Sequence, residues 1–475
     1  MPRLILKKLA WPLILWGLFG GLACWWAKKP LLYPSGPFFP LQIKNRVNFS
    51  GPPLKYLARA GDYLFWTTLK GELLAYSLSQ KKIVWRASFP PSPFGQVSLF
   101  KNYLYWGDGK GQVRCYSQQG EQIWLNKLGK KITSCLFVSD QYVGGVVDEY
   151  QLFALNRKNG QLLWQYKSPE KIISGPACGE KQLVFGGEQG TLFVLDLAGR
   201  PRLSFPLGKQ INPGILLEQN RCYFSTKDND YYAFDLLRGK IAWKITLGGE
   251  SLTGPLLWEK KLIIPLWSGV LFCLKKKSGE IIWWQPLPGR SDFQPGVAED
   301  QILVASLSSS LVSFRLKDGQ LKGTSDLKNY TLRSNPVWVN PFIYLLASEK
   351  QTGEFFLLEM TKEVKVILLA EPPAPRAPGE EIKFRAEVTG FYQPEFEFYL
   401  GQKSEEGPAE LKVQKPFSTE NIWIWYPEKP GKYLIRVKVK DLKEEAQAEL
   451  EYIIQEEKSK EATNKKKIIE EYKRN

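Results

Sequence analysis

Between residues 50 and 370 the apolar positions fall in short runs, four to eight residues long, rich in Val, Ile, Leu and aromatics. Gly, Pro and polar turn residues separate them. Residues 183–187 (LVFGG), 191–196 (TLFVLD) and 202–207 (RLSFPL) form one such set. The pattern predicts strand, turn, strand, turn, strand. Nothing in this stretch carries the period of a long amphipathic helix. The sets recur about every forty residues. A small residue returns at Ala75, Cys115, Ala154, Val194, Ala233, Cys273 and Ser313. Strand starts return at Pro53, Gln96, Cys135, Pro176, Pro213, Pro255, Pro295 and Pro336, a series of eight. A four-stranded unit of this length cannot bury both faces alone, so neighbours must stack. Closing the array into a ring removes exposed edges. The expectation is an all-β fold, an eight-bladed β-propeller over residues 38–370. Its last blade is degenerate, built from 342–349, 355–360 and 363–370, with a strand near 40–47 closing the ring beside it.

Inside the unit a second pattern runs. Residues 154–164, ALNRKNGQLLW, place Ala154, Asn156, Gly160 and Trp164 at a spacing that 233–243 repeats with Ala233, Asp235, Gly239 and Trp243. Residues 273–283 keep Cys273, Gly279 and Trp283; residues 75–85 keep Ala75 and Trp85 but carry Lys81 in the glycine place. A large flat ring with one N–H covers apolar area on the next blade and bonds a main-chain carbonyl. On this reading Trp85, Trp124, Trp164, Trp243 and Trp283 are docking residues, the small place admits the indole, and glycine makes the turn between the last two strands. In the fourth unit Phe205 stands near the tryptophan place. In the seventh, Ser313 and Gly323 predict that the lock is lost.

Repeated A-x-D-x-x-x-G-x-x-x-W resembles the tryptophan-docking repeat of the pyrroloquinoline-quinone (PQQ) type propellers, over roughly residues 50–370. The resemblance implies eight blades and one of two branches. The quinoprotein dehydrogenases have a vicinal cysteine pair and a calcium held by carboxylate and amide groups. This chain has no Cys-Cys pair and only short connections, so neither PQQ nor calcium is expected as a cofactor and no catalytic residue is assigned. The other branch is BamB-like, non-catalytic and placed in the cell envelope.

Composition narrows the chemistry. The 475 residues include no histidine, which removes the commonest general base and the usual zinc ligand. The formal charge of +17 is spread along the chain among Asp and Glu, so it argues for solubility rather than nucleic-acid binding. Residues 9–27 carry no charge and are flanked by Arg3, Lys7, Lys8, Lys28 and Lys29. Within the segment 1–29 they are long enough for one hydrophobic membrane helix. Three fates stay open: a retained anchor, lipidation at Cys24 after Gly21-Leu22-Ala23, and cleavage with release. Each sends the rest of the chain to the extracytoplasmic side. Cys115 and Cys273 fall in small places on opposite sides of the ring, and no C-x-x-C occurs, so neither disulfides nor a zinc site is expected. A bond between Cys135 and Cys178, at the starts of neighbouring inner strands, is conceivable.

Asp108, Asp148, Glu188 and Asp228 stand at one equivalent turn on four successive blades. Such turns favour acids that bond nearby backbone. The alternative is an acidic arc that takes a metal ion or a basic partner segment. Prolines at 371–379 (EPPAPRAPG) predict a linker. After it, 380–455 reads as about seven short strands, an immunoglobulin-like β-sandwich. The run WYPEKPGKYLIRVKVKD (425–441) is similar to the PKD and triple-tyrosine class of such modules. Trp423 and Trp425 alternate toward its core. Residues 456–475 form a charged tail of mixed sign. Taken together, the sequence predicts a non-enzymatic, membrane-anchored binding scaffold with a protein partner. The alternatives are a small-ligand binder in the propeller funnel and, last, a quinoprotein dehydrogenase.

Overall fold

A computed structural model describes residues 39–403, 409–442 and 444–456; the segment 9–27, Cys24 and the tail beyond 456 lie outside them. Every described element is a β-strand. Seven four-stranded antiparallel sheets follow one another in chain order, spanning 58–88, 98–127, 137–167, 172–206, 216–246, 256–286 and 296–326. They are called here the first to the seventh sheet. In each, consecutive strands pair as neighbours from the inside outward. A further sheet unites Leu41–Phe49 with strands between 330 and 362. This last sheet packs on the first: Phe49, Leu57, Trp66 and Tyr76 share one core with Tyr344, Leu346 and Leu357. Leu57 N–H donates to Asn335 Oδ1 at 2.8 Å, and Asn335 Nδ2 returns a bond to Leu57 O at 3.0 Å. The arrangement is that of a propeller, with the apolar face of each sheet buried against its neighbours.

The small place and the tryptophan are partners within one sheet. Ala75 lies opposite Trp85, Cys115 opposite Trp124, Ala154 opposite Trp164, Ala233 opposite Trp243 and Cys273 opposite Trp283. A bulge follows directly after that pair in each of the seven sheets and re-aims the outer strand. The indole then crosses to the next sheet, where its seat is the glycine of the outer hairpin. A Cβ on Gly160, whose φ is +72°, would lie 2.5 Å from the Trp124 ring, and Gly120, Gly199, Gly279 and Gly319 stand likewise under Trp85, Trp164, Trp243 and Trp283. The glycine is therefore required twice, for its positive φ and for the missing side chain. This corrects the expectation that Ala or Cys makes room across the boundary: the small residue relieves crowding inside the sheet, and the glycine admits the ring.

Two further readings change. Leu203, not Phe205, takes the tryptophan place in the fourth sheet: it pairs with Val194 and lies 3.9 Å from where a Cβ on Gly239 would be. The bulge shifts the count, and Phe205 instead meets the Phe234 ring edge-on. In the seventh sheet the lock is inverted rather than lost. Gly323 stands opposite Ser313, and Phe39, two residues before the strand Leu41–Phe49, lies over it where a Cβ would be. Where the last sheet meets the first, no indole arrives. Lys81 in the glycine place extends its ammonium to Glu359 at 2.6 Å, to the Tyr344 hydroxyl at 3.0 Å and over the Phe342 ring.

The boundary of the second region also moves. Lys365–Glu371 pairs with Ile382–Thr389, and with Ile422–Trp425 these make a three-stranded sheet. The residues 363–370 thus do not close the propeller; Leu41–Phe49 does, running antiparallel to Phe355–Lys362 from Leu41 opposite Lys362 to Phe49 opposite Phe355. The prolines at 371–379 form a connection within the second region, pinned by Tyr452 Oη to Pro372 O at 2.7 Å and Gly379 N to Pro427 O at 2.7 Å, and not a linker between regions. A four-stranded sheet containing Glu395–Gln402 and Gly431–Lys440 packs on the three-stranded one around Phe384, Phe398, Ile435, Val437 and Tyr452. Trp423 and Trp425 pack against this core, Trp423 stacking on Phe384 at 5.4 Å.

Candidate functional site

Each docking indole ends on a main-chain carbonyl 33 residues further along. Trp85, Trp124, Trp164, Trp243 and Trp283 donate to the carbonyls of Gln118, Arg157, Leu197, Lys276 and Leu316 at 2.8–3.2 Å. The residue that supplies the carbonyl sits at the outer hairpin, so its side chain enters the seam between two sheets. Five seams share this geometry and differ in what fills them.

The acidic residues do not form one arc. The backbone N–H of Asp148 and Glu188 bonds the carbonyls of Lys131 and Lys171, and in the fifth sheet Lys227 holds that position. Asp228 is one place later. Asp108 N–H bonds Gln112 O, as Thr226 N–H bonds Asp230 O, so Asp108 is one place earlier. Their environments differ accordingly. Asp108 is buried and takes Arg114 at 2.5 Å and the N–H groups of Lys110 and Gln112 at 2.8 and 3.0 Å. Asp148 is half-exposed near Lys130 at 3.7 Å, Asp228 pairs with Lys209 at 2.9 Å, and Glu188 is exposed. Among the described residues no group of three or more Cys, Asp or Glu is arranged to hold a metal ion.

Asp230, which sequence reasoning passed over, is the most heavily bonded acid of this face. It is buried, with Thr246 Oγ1 at 2.5 Å, Lys244 at 2.9 Å and Lys209 at 3.0 Å. Burial alone would raise its carboxyl, but the hydrogen bonds from Thr246, Lys244 and Lys209 outweigh that and hold it well below the usual carboxylate range. A group depressed in the folded state stabilises above its unfolded value, near 3.9, and loses that contribution as pH falls toward the folded value. Asp230→Asn is therefore expected to lower the thermal midpoint at pH 7, with the gap to the parent narrowing steadily below about pH 4. Parallel melts of the two proteins across pH check this; a gap independent of pH would contradict it.

The five described cysteines are free: Cys115, Cys222 and Cys273 are buried, Cys178 is half-buried and Cys135 exposed. Burial pushes the Cys115 and Cys178 thiols up to about 11 and that of Cys273 up to about 12, as packing residues rather than nucleophiles.

Between the fifth and sixth sheets a cleft of about 730 Å³ opens at the hairpin ends. Its lining includes Arg221, Lys260 and Lys277, the apolar Leu237 and Ile282, and the buried Tyr223. Tyr223 is 1% exposed, and Arg221 stands beside its hydroxyl. Burial raises that hydroxyl to about 12, with the charge of Glu218 adding and that of Arg221 opposing. It remains a proton donor at neutral pH.

Comparison with known proteins agrees with the architecture. The family described as the outer membrane protein assembly factor BamB matches residues 70–174, 154–264 and 247–339. Among curated proteins, the tetrathionate hydrolase of Acidithiobacillus ferrooxidans is 22% identical over 237 residues, 42% of this chain and 46% of that protein. The outer membrane protein assembly factor BamB of Moranella endobia is 24% identical over 153 residues, 29% of this chain and 39% of that protein. The chain thus spans less than half the length of either. The crystal structure of BamB from Moraxella catarrhalis superposes with a TM-score of 0.53 at 16% identity, covering 67% of this chain and 100% of that one. At that identity the likeness is one of fold.

Proposed function

The chain belongs to the family described as the outer membrane protein assembly factor BamB, matched over more than half its length, and on that premise we propose that it is a non-catalytic scaffold of the cell envelope that holds a protein partner. The partner is one that handles outer-membrane proteins, the role carried in the name of the relatives. In this reading the ring has eight blades, the last completed by Leu41–Phe49, and the two sheets after residue 364 are an immunoglobulin-like module. Residues 9–27 tether the chain to a membrane, with its remainder on the extracytoplasmic side.

The observation that carries the reading is the set of five indole-to-carbonyl bonds, which lock five of the seams between neighbouring sheets and leave the hairpin tips as the variable surface. The buried acids support a structural rather than a chemical role: Asp108 is spent on Arg114, Asp230 on two lysines and Glu359 on Lys81. The test is site-specific photocrosslinking from hairpin tips on both faces in the native envelope. One protein adduct clustered on adjacent tips is expected, together with lower amounts of folded outer-membrane barrels when the chain is depleted. No adduct from any tip, or dye reduction by the purified chain with PQQ and calcium, would overturn the reading.

A further inference from the structure

Two seams of the ring carry the same frame with different fillings. At the seam of the second and third sheets, Tyr105 lies opposite Cys115, Trp124 donates to Arg157 O, and the Arg157 side chain fills the space. Its Nη1 donates to the Tyr105 hydroxyl at 3.2 Å, its Nε to Asp140 O at 2.9 Å, and its guanidinium stacks over Phe100. At the seam of the fifth and sixth sheets, Tyr223 lies opposite Ala233 and Trp243 donates to Lys276 O, so Lys276 stands where Arg157 does. Glu218 replaces Phe100, since each ends its inner strand opposite the residue three places on. Glu218 draws the Lys276 ammonium aside at 2.7 Å. The tyrosine hydroxyl receives no bond from the residue in that place, and the seam stands open as the 730 Å³ cleft.

The cleft sets a tyrosine proton donor beside a cationic rim, an arrangement that suits an anionic ligand. Lys260 and Lys277 form no ion pair with described residues, and Arg221 lies beside the hydroxyl, whereas Asp235 is occupied by the N–H groups of Leu237 and Arg238. Leu237 is 75% exposed beside this charge. Resting on the scaffold reading above, we propose that the cleft between the fifth and sixth sheets receives an acidic peptide segment of the partner. One carboxylate accepts from Tyr223 Oη and lies among Arg221, Lys260 and Lys277, and a flanking aliphatic side chain covers Leu237 and Ile282. The retained Glu218 and Asp235 favour one or two separated carboxylates over a polyphosphate, which would meet them at close range. The volume suits a few residues of extended chain.

The test uses the full chain and the probe acetyl-Leu-Glu-Leu-Asp-Leu-amide, with its Gln/Asn counterpart and inorganic pyrophosphate as controls, by calorimetry at low and high salt. The acidic peptide is expected to bind saturably and more weakly at high salt, and the amide peptide not to bind. Tyr223→Phe, which keeps the ring, should weaken binding about threefold to tenfold. Lys260→Glu with Lys277→Glu, both exposed and outside the core, should weaken it about tenfold or more with an unchanged circular-dichroism spectrum. No saturable binding by the parent, equal binding by both variants, or displacement of the peptide by pyrophosphate would overturn the proposal. The photocrosslinks separate the two readings. An adduct that survives the double charge reversal removes the cleft and leaves the scaffold; peptide binding with no adduct at any tip removes the scaffold and leaves the cleft.

Discussion

Trp124→Ala is expected to destabilise the chain by about 3–5 kcal/mol, the range for emptying a buried aromatic site. Three losses coincide. The ring is buried and packs against Tyr105 at a centroid distance of 6.0 Å. Its N–H no longer satisfies Arg157 O, bonded at 3.0 Å. Its flat seat over Gly160 becomes a void that the rigid hairpin cannot collapse to fill, because the glycine has no side chain to offer. Trp124→Phe restores most of the volume but not the donor, so it should cost about 1–2 kcal/mol. Trp164→Ala, at a half-buried copy of the same place, should fall between the two. Denaturant titrations give the check: the midpoint should drop in that order with little change in slope. A shift for Trp124→Ala no larger than that of a surface substitution would show that the seams do not hold the ring.

The second large effect falls on Asp108, and it separates a structural acid from a ligand. Asp108→Ala is expected to cost about 3–5 kcal/mol, because it leaves the Arg114 guanidinium nearly buried and uncompensated. Two backbone donors, from Lys110 and Gln112, lose their acceptor in the same step. Asp108→Ala combined with Arg114→Met should recover most of the loss, since removing both charges ends the desolvation penalty. Asp148→Asn, which removes the charge and suits the positive φ there, and Glu188→Ala, in exposed hairpins, should stay within about 0.5 kcal/mol of the parent. Thermal melts of the four proteins, with and without calcium, decide the matter. Equal losses at all three acids, or a calcium-dependent midpoint that vanishes in each, would reinstate a shared metal site.

The repeat was readable because its requirements recur. A positive-φ hairpin calls for glycine, and a seam calls for a large ring with one donor; both leave the same residue types at the same interval. The acid series looked uniform because hairpin turns favour Asp and Glu for several local reasons. A shift of one place, invisible in spacing that varies between 39 and 40, separates buried Asp108 from its half-exposed neighbours. Residues 363–370 read as part of the last blade because an alternating apolar strand looks alike at the rim of a propeller and at the edge of a sandwich; only the pairing of Lys365–Glu371 with Ile382–Thr389 decides. Leu203 and Phe205 differ by a bulge that moves the pairing by one residue.

The sequence by itself determined the strands, their grouping by fours and the residues that lock one group to the next, because these depend on local periodicity and on side-chain shape repeated many times. Tertiary structure alone decided where each lock lands, which strand completes the last sheet and how far each seam opens. Those outcomes depend on contacts between residues far apart in the chain, such as Lys276 and Glu218, and one lysine turned toward a carboxylate instead of a tyrosine leaves no mark in the spacing of either.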